Sequence, residues 1–130
     1  MTGGGPDLRA LAADRPVHFM GVGGAGMYPL AELLLRSGGR VSGCDTKATR
    51  ALRDLAALGG EVSVGHDEAH TSDASALVVT AAIPPDHPEL LAAREAGIPV
   101  MKRAEALGAW VNGGTVVAVC ALFFIARSQH

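Results

Sequence analysis

The stretch V-H-F-M-G-V-G-G-A-G-M-Y-P-L-A-E-L-L-L, from Val17 to Leu35, decides the fold of this chain. Its apolar start, Val17–Met20, is typical of a short buried strand, and four glycines follow within the next six residues. Apolar residues then recur with the i, i+3, i+4, i+7 spacing of a helix: Met27, Leu30, Ala31 and Leu34. The stretch predicts a strand, a tight turn and a helix.

The glycines of the turn fit the pattern G-x-G-x-x-G, with Gly21, Gly23 and Gly26 at the fixed positions. In this pattern the missing side chains permit the turn, the close approach of backbone to a diphosphate, and the packing of helix on strand. The positive end of the helix dipole then faces the anion, an interaction of roughly 0.3 to 2 kcal/mol. The pattern indicates a ligand that carries a diphosphate, and the alternative is a turn that binds nothing.

The composition is that of one globular domain. The chain has 130 residues, of which 48% are hydrophobic and 18% charged, and its net charge of -2 gives no sign of nucleic-acid binding. Cys44 and Cys120 lack metal-ligand spacing and follow no signal peptide, so we expect buried thiols in the reducing cytoplasm. The apolar run Val116–Ala126, about 11 residues, is too short for a membrane span.

Strand and helix patterns alternate along the rest of the chain. After a mobile lead-in at residues 1–16 and the first strand, further strands are predicted at 40–44, 61–64, 76–80, 98–101 and 115–119. Asp86 and Glu89 have capping-box spacing at the start of the helix that Gly97 ends. The order predicts an α/β fold, a Rossmann-like doubly wound parallel sheet of about five to six strands with helices on both faces.

Two polar positions follow predicted strands at the edge where an open α/β sheet binds ligands. Asp45 ends the second strand, and its carboxylate can accept hydrogen bonds from ribose hydroxyls or a base N–H. The alternative is that Asp45 or Thr46 caps the next helix, and both roles are compatible. His66 follows the third strand and is either a phosphate or base contact or a solvent-facing loop residue.

Five ordered segments make the chain resemble the N-terminal domain of the Mur ligases, and most nearly the members that join L-alanine to UDP-N-acetylmuramate. These segments span His18–Met27, Val41–Asp45, Gly65–Asp67, Ala81–Leu90 and Gly97–Glu105. The resemblance covers roughly residues 17–119, which we take as the UDP-binding domain. It implies that the partner is UDP-N-acetylmuramate or UDP rather than NAD.

The resemblance also implies roles for single residues in binding the UDP moiety. The diphosphate would be held by the backbone N–H groups of Gly23, Gly24, Ala25 and Gly26. The uridine would contact Asp45 and Thr46. The rim of the site would be completed by His66, Thr80, Ala82, Ile83 and Arg103. The chain departs from the family where Thr80-Ala81-Ala82-Ile83 replaces S-S-A-I, which removes one hydroxyl. Other departures are Asp86-His87-Pro88-Glu89 in place of D-N-P-E and Tyr28-Pro29 in place of small residues. None of them removes the backbone cradle.

The end of the chain departs further from the family pattern. The family continues into a P-loop that holds ATP and Mg²⁺, whereas residues 120–130 read C-A-L-F-F-I-A-R-S-Q-H, an atypical apolar tail. We therefore expect no cofactor, no metal site and no catalytic residue in this chain, although the full-length family uses ATP and Mg²⁺. The expected activity is substrate binding without turnover.

Two other functions are open at this point. The same glycines and Asp45 suit an NAD-binding module of an oxidoreductase or sensor, in which the later segments have no role. A non-catalytic remnant or scaffold is the other alternative, motivated by the apolar residues 122–125. Such a tail would pack on a neighbour or mediate self-association.

Overall fold

The computed structural model describes residues 8–24, 26–65, 72–80 and 83–113, without the side chains of 111–113. The predicted sixth strand and the apolar tail lie outside the described residues. The elements, in chain order, are α1 (Leu8–Asp14), β1 (Val17–Met20), α2 (Met27–Arg36), β2 (Val41–Asp45), α3 (Arg50–Ala57), β3 (Glu61–Val64), β4 (Ala76–Val79), α4 (Pro88–Glu95), β5 (Val100–Lys102) and α5 (Arg103–Gly113).

The five described strands form one parallel sheet in the order β3-β2-β1-β4-β5. Val17 at the start of β1 pairs with Val41 of β2 on one side and with Ala76 of β4 on the other. The chain therefore winds outward through β2 and β3 and then returns to the other side of β1. This confirms the predicted doubly wound sheet, and it places the switch point, where such sheets bind ligands, between β1 and β4.

The core occupies both faces of the sheet. All four residues of β1 are buried, as expected of a central strand in a parallel sheet. Phe19 faces the helices α1, α2, α3 and α5, while its neighbour Met20 faces α4 on the other side. This alternation follows from the period of two in a strand, and it confirms the prediction of helices on both faces.

Helix α1 packs into the domain, although the sequence analysis assigned residues 1–16 to a mobile lead-in. Leu8 and Ala12 are fully buried, and the carbonyl of Ala12 accepts a hydrogen bond from the Arg40 N–H at 2.9 Å. The Arg9 guanidinium stacks 4.3 Å above the ring of Trp110 in α5. A helix of two turns has too few apolar positions to reveal this packing in the sequence.

Two helices begin with caps that the sequence analysis did not identify. Thr49 caps α3, its Oγ1 accepting the Leu52 N–H at 3.2 Å, so neither Asp45 nor Thr46 has that role. The predicted capping box at α4 is wrong, because the cap is His87, whose Nδ1 accepts the Glu89 N–H at 3.1 Å. The Glu89 side chain is buried instead of reaching back to the helix start.

Among the described helices, none has both the length and the apolar character needed to cross a bilayer.

Candidate functional site

The glycine turn links β1 to α2 at the carboxyl edge of the sheet. Gly21 and Gly26 have φ angles of 77° and 75°, in the left-handed region that glycine adopts without strain. The N–H groups of Gly21 and Val22 donate to the Cys44 carbonyl at 2.9 and 3.1 Å, which fastens the turn to β2. The turn is thus a rigid connection between the central strand and the start of α2.

Asp45 lies against the turn from the end of β2. Its Oδ2 accepts the Gly23 N–H at 2.8 Å, and its Oδ1 accepts the Thr46 N–H at 2.8 Å. A Cβ placed on Gly23 would lie only 2.8 Å from Oδ2, so this approach requires glycine. In this state the carboxylate occupies an N–H group that the sequence analysis assigned to the diphosphate.

The remaining donors of the turn lie at the start of α2. The Gly24 N–H donates to the Gly21 carbonyl at 2.8 Å and is used within the turn. Gly26 is the N-cap of α2 and offers no side-chain cap, and no acceptor among the described residues contacts the N–H groups of Gly26 and Tyr28. Relative to the described residues, this helix end therefore presents donors without an acceptor, together with the positive end of its dipole.

Arg103 supplies a cation beside these donors. It begins α5, directly after β5, and its side chain crosses the start of α2: a Cβ placed on Gly26 would lie 2.8 Å from its Cδ and 2.9 Å from its Nε. Within the described residues no carboxylate lies at ion-pair distance from its guanidinium. A guanidinium and a helix N-terminus side by side form an arrangement that suits a phosphate group.

Thr80 and Ile83 flank the turn from the end of β4. The Thr80 methyl group lies against Gly24, where a Cβ on the glycine would approach it to 3.1 Å. The Ile83 N–H donates to the Thr80 carbonyl at 3.2 Å, and the Ile83 side chain packs on the core beside α4. The Ile83 side chain therefore supports the loop by packing on the core, and it is not directed at the crevice.

The structure brings most of the predicted site residues to one place. Those that surround the turn are Gly23, Gly24, Gly26, Asp45, Thr46, Thr80 and Arg103. Ala25, His66 and Ala82 lie outside the described residues.

Gly43 and Thr49 support the turn and were missed by the sequence analysis. A Cβ on Gly43 would lie 2.5 Å from Val22 Cγ2 and 2.9 Å from Leu55 Cδ2, so this glycine lets the turn pack onto β2. The Thr49 methyl group would lie 3.5 Å from a Cβ on Gly23. A glycine within a strand pattern is a known sign of close backbone approach, and threonine before a helix pattern is a sign of a cap.

A buried polar cluster lies on the α4 face of the sheet. His18 Nε2 lies 3.3 Å from Cys44 Sγ and 4.0 Å from Glu89 Oε2, and all three residues are at most 2% exposed. Burial, followed by the charge of Glu89, raises the pKa of the Cys44 thiol to about 12. The expected burial of Cys44 is confirmed, but its neighbours are polar as well as apolar.

Comparison with known proteins identifies the family. The model of the Mur ligase family, catalytic domain, matches residues 16–115, which include the five described strands and the glycine turn. The chain belongs to the Mur ligase family. Membership accounts for the segments after the turn, which have no role in an NAD-binding module.

Individual Mur ligases show how close the relationship is. The chain is 50% identical over 102 residues to the UDP-N-acetylmuramate–L-alanine ligase of Acidothermus cellulolyticus, covering 78% of this chain and 21% of that protein. It is 48% identical over 103 residues to the ligase of the same name from Clavibacter michiganensis subsp. michiganensis, covering 79% and 22%. The crystal structure of UDP-N-acetylmuramate-alanine ligase from Thermotoga maritima superposes with a TM-score of 0.66 at 29% identity, covering 72% and 22%. The chain thus spans about a fifth of the length of these Mur ligases.

Proposed function

We propose that this chain binds the UDP portion of UDP-N-acetylmuramate, as the N-terminal domain of a UDP-N-acetylmuramate:L-alanine ligase of peptidoglycan precursor synthesis. The observation that carries the proposal is the glycine turn at the switch point, with Asp45 on one side and Arg103 on the other. The names of the similar Mur ligases support this choice of nucleotide sugar. A cytoplasmic location is part of the proposal.

In this proposal the diphosphate lies at the start of α2. The N–H groups of Gly26 and Tyr28 donate to its oxygens, and the Arg103 guanidinium forks onto them from the side. A hydrogen bond to a charged group contributes about 1.5 to 3 kcal/mol, and the helix dipole about 0.3 to 2 kcal/mol. These contributions favour a ligand with two phosphate groups over an uncharged nucleoside.

The uridine then lies towards Asp45 and Thr46. The Asp45 carboxylate now accepts the Gly23 N–H, so it holds the empty turn in a conformation close to the one that a phosphate needs. We propose that a phosphate oxygen replaces it at this N–H, while the carboxylate accepts from a ribose hydroxyl or from the uracil imide N–H. The exchange keeps the Gly23 N–H satisfied in both states.

We assign substrate binding, and no catalytic step, to the described residues. In the family resemblance, ATP phosphorylates the muramoyl carboxylate, and the amine of L-alanine attacks the acyl phosphate. ATP and Mg²⁺ are held there by other domains. The role proposed for this chain is therefore to anchor the substrate by its nucleotide end.

Isothermal titration calorimetry of the 130-residue chain tests the proposal with UDP-N-acetylmuramate, UDP and NADH as ligands. We expect heat from the two uridine nucleotides and none from NADH. Absence of heat at millimolar UDP-N-acetylmuramate, from protein that circular dichroism shows to be folded, would contradict the proposal. Tighter binding of NADH would assign the turn to a nicotinamide cofactor instead.

A matched pair of arginine variants tests the diphosphate contact. Arg103→Ala removes the guanidinium beside α2, and we expect UDP to bind about tenfold to a hundredfold more weakly, from the 1.5 to 3 kcal/mol of a charge-assisted hydrogen bond. Arg36→Ala is the control, because Arg36 ends the same helix and pairs with Glu32 at 2.8 Å, far from the turn. Equal affinities of the two variants for UDP would rule out Arg103 as a phosphate ligand.

A further inference from the structure

Three buried side chains of different chemistry meet on the α4 face of the sheet. His18 comes from β1, Cys44 from β2 and Glu89 from α4, and their exposed fractions are 2%, 0% and 1%. One ligand atom of each, an imidazole nitrogen, the thiol sulfur and a carboxylate oxygen, lies within 4.8 Å of the other two. We propose that His18, Cys44 and Glu89 form a binding site for one divalent metal ion of the zinc class.

The spacing of the ligand atoms is close to that of a tetrahedral zinc site. Zinc bonds of 2.0 to 2.3 Å place neighbouring ligand atoms about 3.5 Å apart. The His18 Nε2 atom lies 3.3 Å from Cys44 Sγ and 4.0 Å from Glu89 Oε2. Side-chain shifts of about 1 Å or less would therefore close the three ligands around an ion.

The orientation of the histidine ring also fits a metal ligand. His18 Nδ1 lies 2.8 Å from Ser42 Oγ, one strand away, so the ring is held with Nε2 towards Cys44 and Glu89. Metal-binding histidines are usually fixed in this way by a hydrogen bond from the second ring nitrogen. Ser42 is thus a positioning residue and not a ligand.

The charges balance when the ion is present. A thiolate and a carboxylate together carry two negative charges, which a divalent cation neutralises, with the imidazole as a neutral third ligand. Burying charges without such compensation is costly. The mixture of sulfur, nitrogen and oxygen ligands suits zinc or cobalt, and not magnesium or calcium, which prefer oxygen alone.

A cavity lies beside the histidine of this site. Its volume is about 170 Å³, and its lining includes His18 and Ser42 together with Glu61 and Asp73, which are exposed. These residues lie at or near the amino-terminal ends of strands, at the edge of the sheet opposite the glycine turn. An ion that enters this cavity reaches the His18 ring without passing through the nucleotide site, and a rotation of the ring would admit it to Cys44 and Glu89. A water molecule can supply the fourth ligand.

Titration of the metal-free 130-residue chain with Co²⁺ and Zn²⁺ tests the site. We expect one equivalent of Co²⁺ to bind with a thiolate-to-metal absorption band in the near ultraviolet, one equivalent of Zn²⁺ to displace it, and Zn²⁺ to raise the melting temperature. Cys44→Ser removes the soft ligand and abolishes the band. Cys120→Ser is the matched control and keeps it, because the chain has only these two cysteines.

Several outcomes would overturn the proposal. Co²⁺ binding without a thiolate band in the unmodified chain would show that surface histidines hold the metal. A band that survives in Cys44→Ser would assign the thiolate to Cys120. If Cys44→Ser fails to fold, Glu89→Gln decides, since loss of a charged ligand must weaken Co²⁺ binding tenfold or more. An unchanged affinity, or no shift of the melting temperature with excess Zn²⁺, identifies the cluster as a polar network that binds no metal.

Discussion

Replacing Gly26 by alanine separates the two reasons for which the turn needs a glycine at this position. The first is backbone conformation, because a φ of 75° strains any residue with a Cβ by about 1 to 2 kcal/mol. The second is contact with Arg103, whose Cδ and Nε would lie 2.8 and 2.9 Å from the new Cβ. Ordinary contacts between carbon atoms are about 3.5 to 4.0 Å, so the arginine must retreat by about 1 Å.

The two effects have different consequences. Arg103 is a flexible side chain at the surface, so its retreat costs little stability, and Gly26→Ala should lower the free energy of unfolding only by the strain of about 1 to 2 kcal/mol. UDP binding depends on the position of the guanidinium. Loss of its charge-assisted hydrogen bond, about 1.5 to 3 kcal/mol, weakens UDP binding about tenfold to a hundredfold.

Gly97→Ala is the matched control for strain alone. Gly97 follows α4 with a φ of 77°, nearly that of Gly26, and apart from its chain neighbours no described residue has an atom within 4 Å of a Cβ placed there. We expect urea unfolding to show the same loss of stability in both variants, and calorimetry to show weaker UDP binding only in Gly26→Ala.

A double-mutant cycle connects the loss of affinity to the arginine. If Gly26→Ala acts by displacing Arg103, the variant that combines it with Arg103→Ala binds UDP no more weakly than Arg103→Ala alone. Additive losses would refute the reasoning, as would UDP affinity within twofold of the unmodified chain in Gly26→Ala. Equal loss of UDP affinity in Gly97→Ala would show that strain, and not the arginine, controls binding.

Three further predictions concern other parts of the domain. Leu8→Ala should lower the free energy of unfolding, measured in urea, by about 2 to 5 kcal/mol. Leu91→Ala, at a half-exposed position, is the control and should change it by less than about 0.5 kcal/mol. Equal effects of the two substitutions would place α1 outside the core. Thr49→Ala should cost about 1 kcal/mol in the same assay through loss of the α3 cap, and an unchanged midpoint would contradict the assigned cap. Asp45→Asn keeps an acceptor for the Gly23 N–H but removes a negative charge, so calorimetry should show pyrophosphate binding about threefold more tightly. The ratio of UDP affinity to pyrophosphate affinity should fall at the same time. An unchanged ratio would exclude Asp45 from the nucleoside contact.

The strands were predicted well because their signals are local. Glu61–Val64 was predicted with the observed bounds, and the predicted fourth strand extends one residue beyond Ala76–Val79. The predicted second strand, 40–44, is displaced by one residue at both ends from Val41–Asp45. The predicted fifth strand, 98–101, begins two residues before Val100–Lys102 and ends one residue before its end. Helix ends were predicted less well, since a cap depends on one side-chain rotamer. His87 is the cap at the position expected for Asp86, and the Glu89 side chain lies in the core.

The sequence by itself determined the turn, the alternation of strands and helices, and the family. A glycine at positive φ, a run of apolar residues and a period of 3.6 are properties of neighbouring residues, and they can be read without knowing what packs against them. Asp45 could be predicted for the same reason, since its place at the end of a strand beside the turn follows from the fold type.

Only the tertiary structure decided which distant side chains meet. Strand order and register bring Arg103 to Gly26, let Val22 pack onto Gly43, and close the cluster around His18. Contacts of this kind depend on rotamers and on the sub-ångström fit between elements far apart in the chain, and neither hydrophobic periodicity nor motif spacing encodes them.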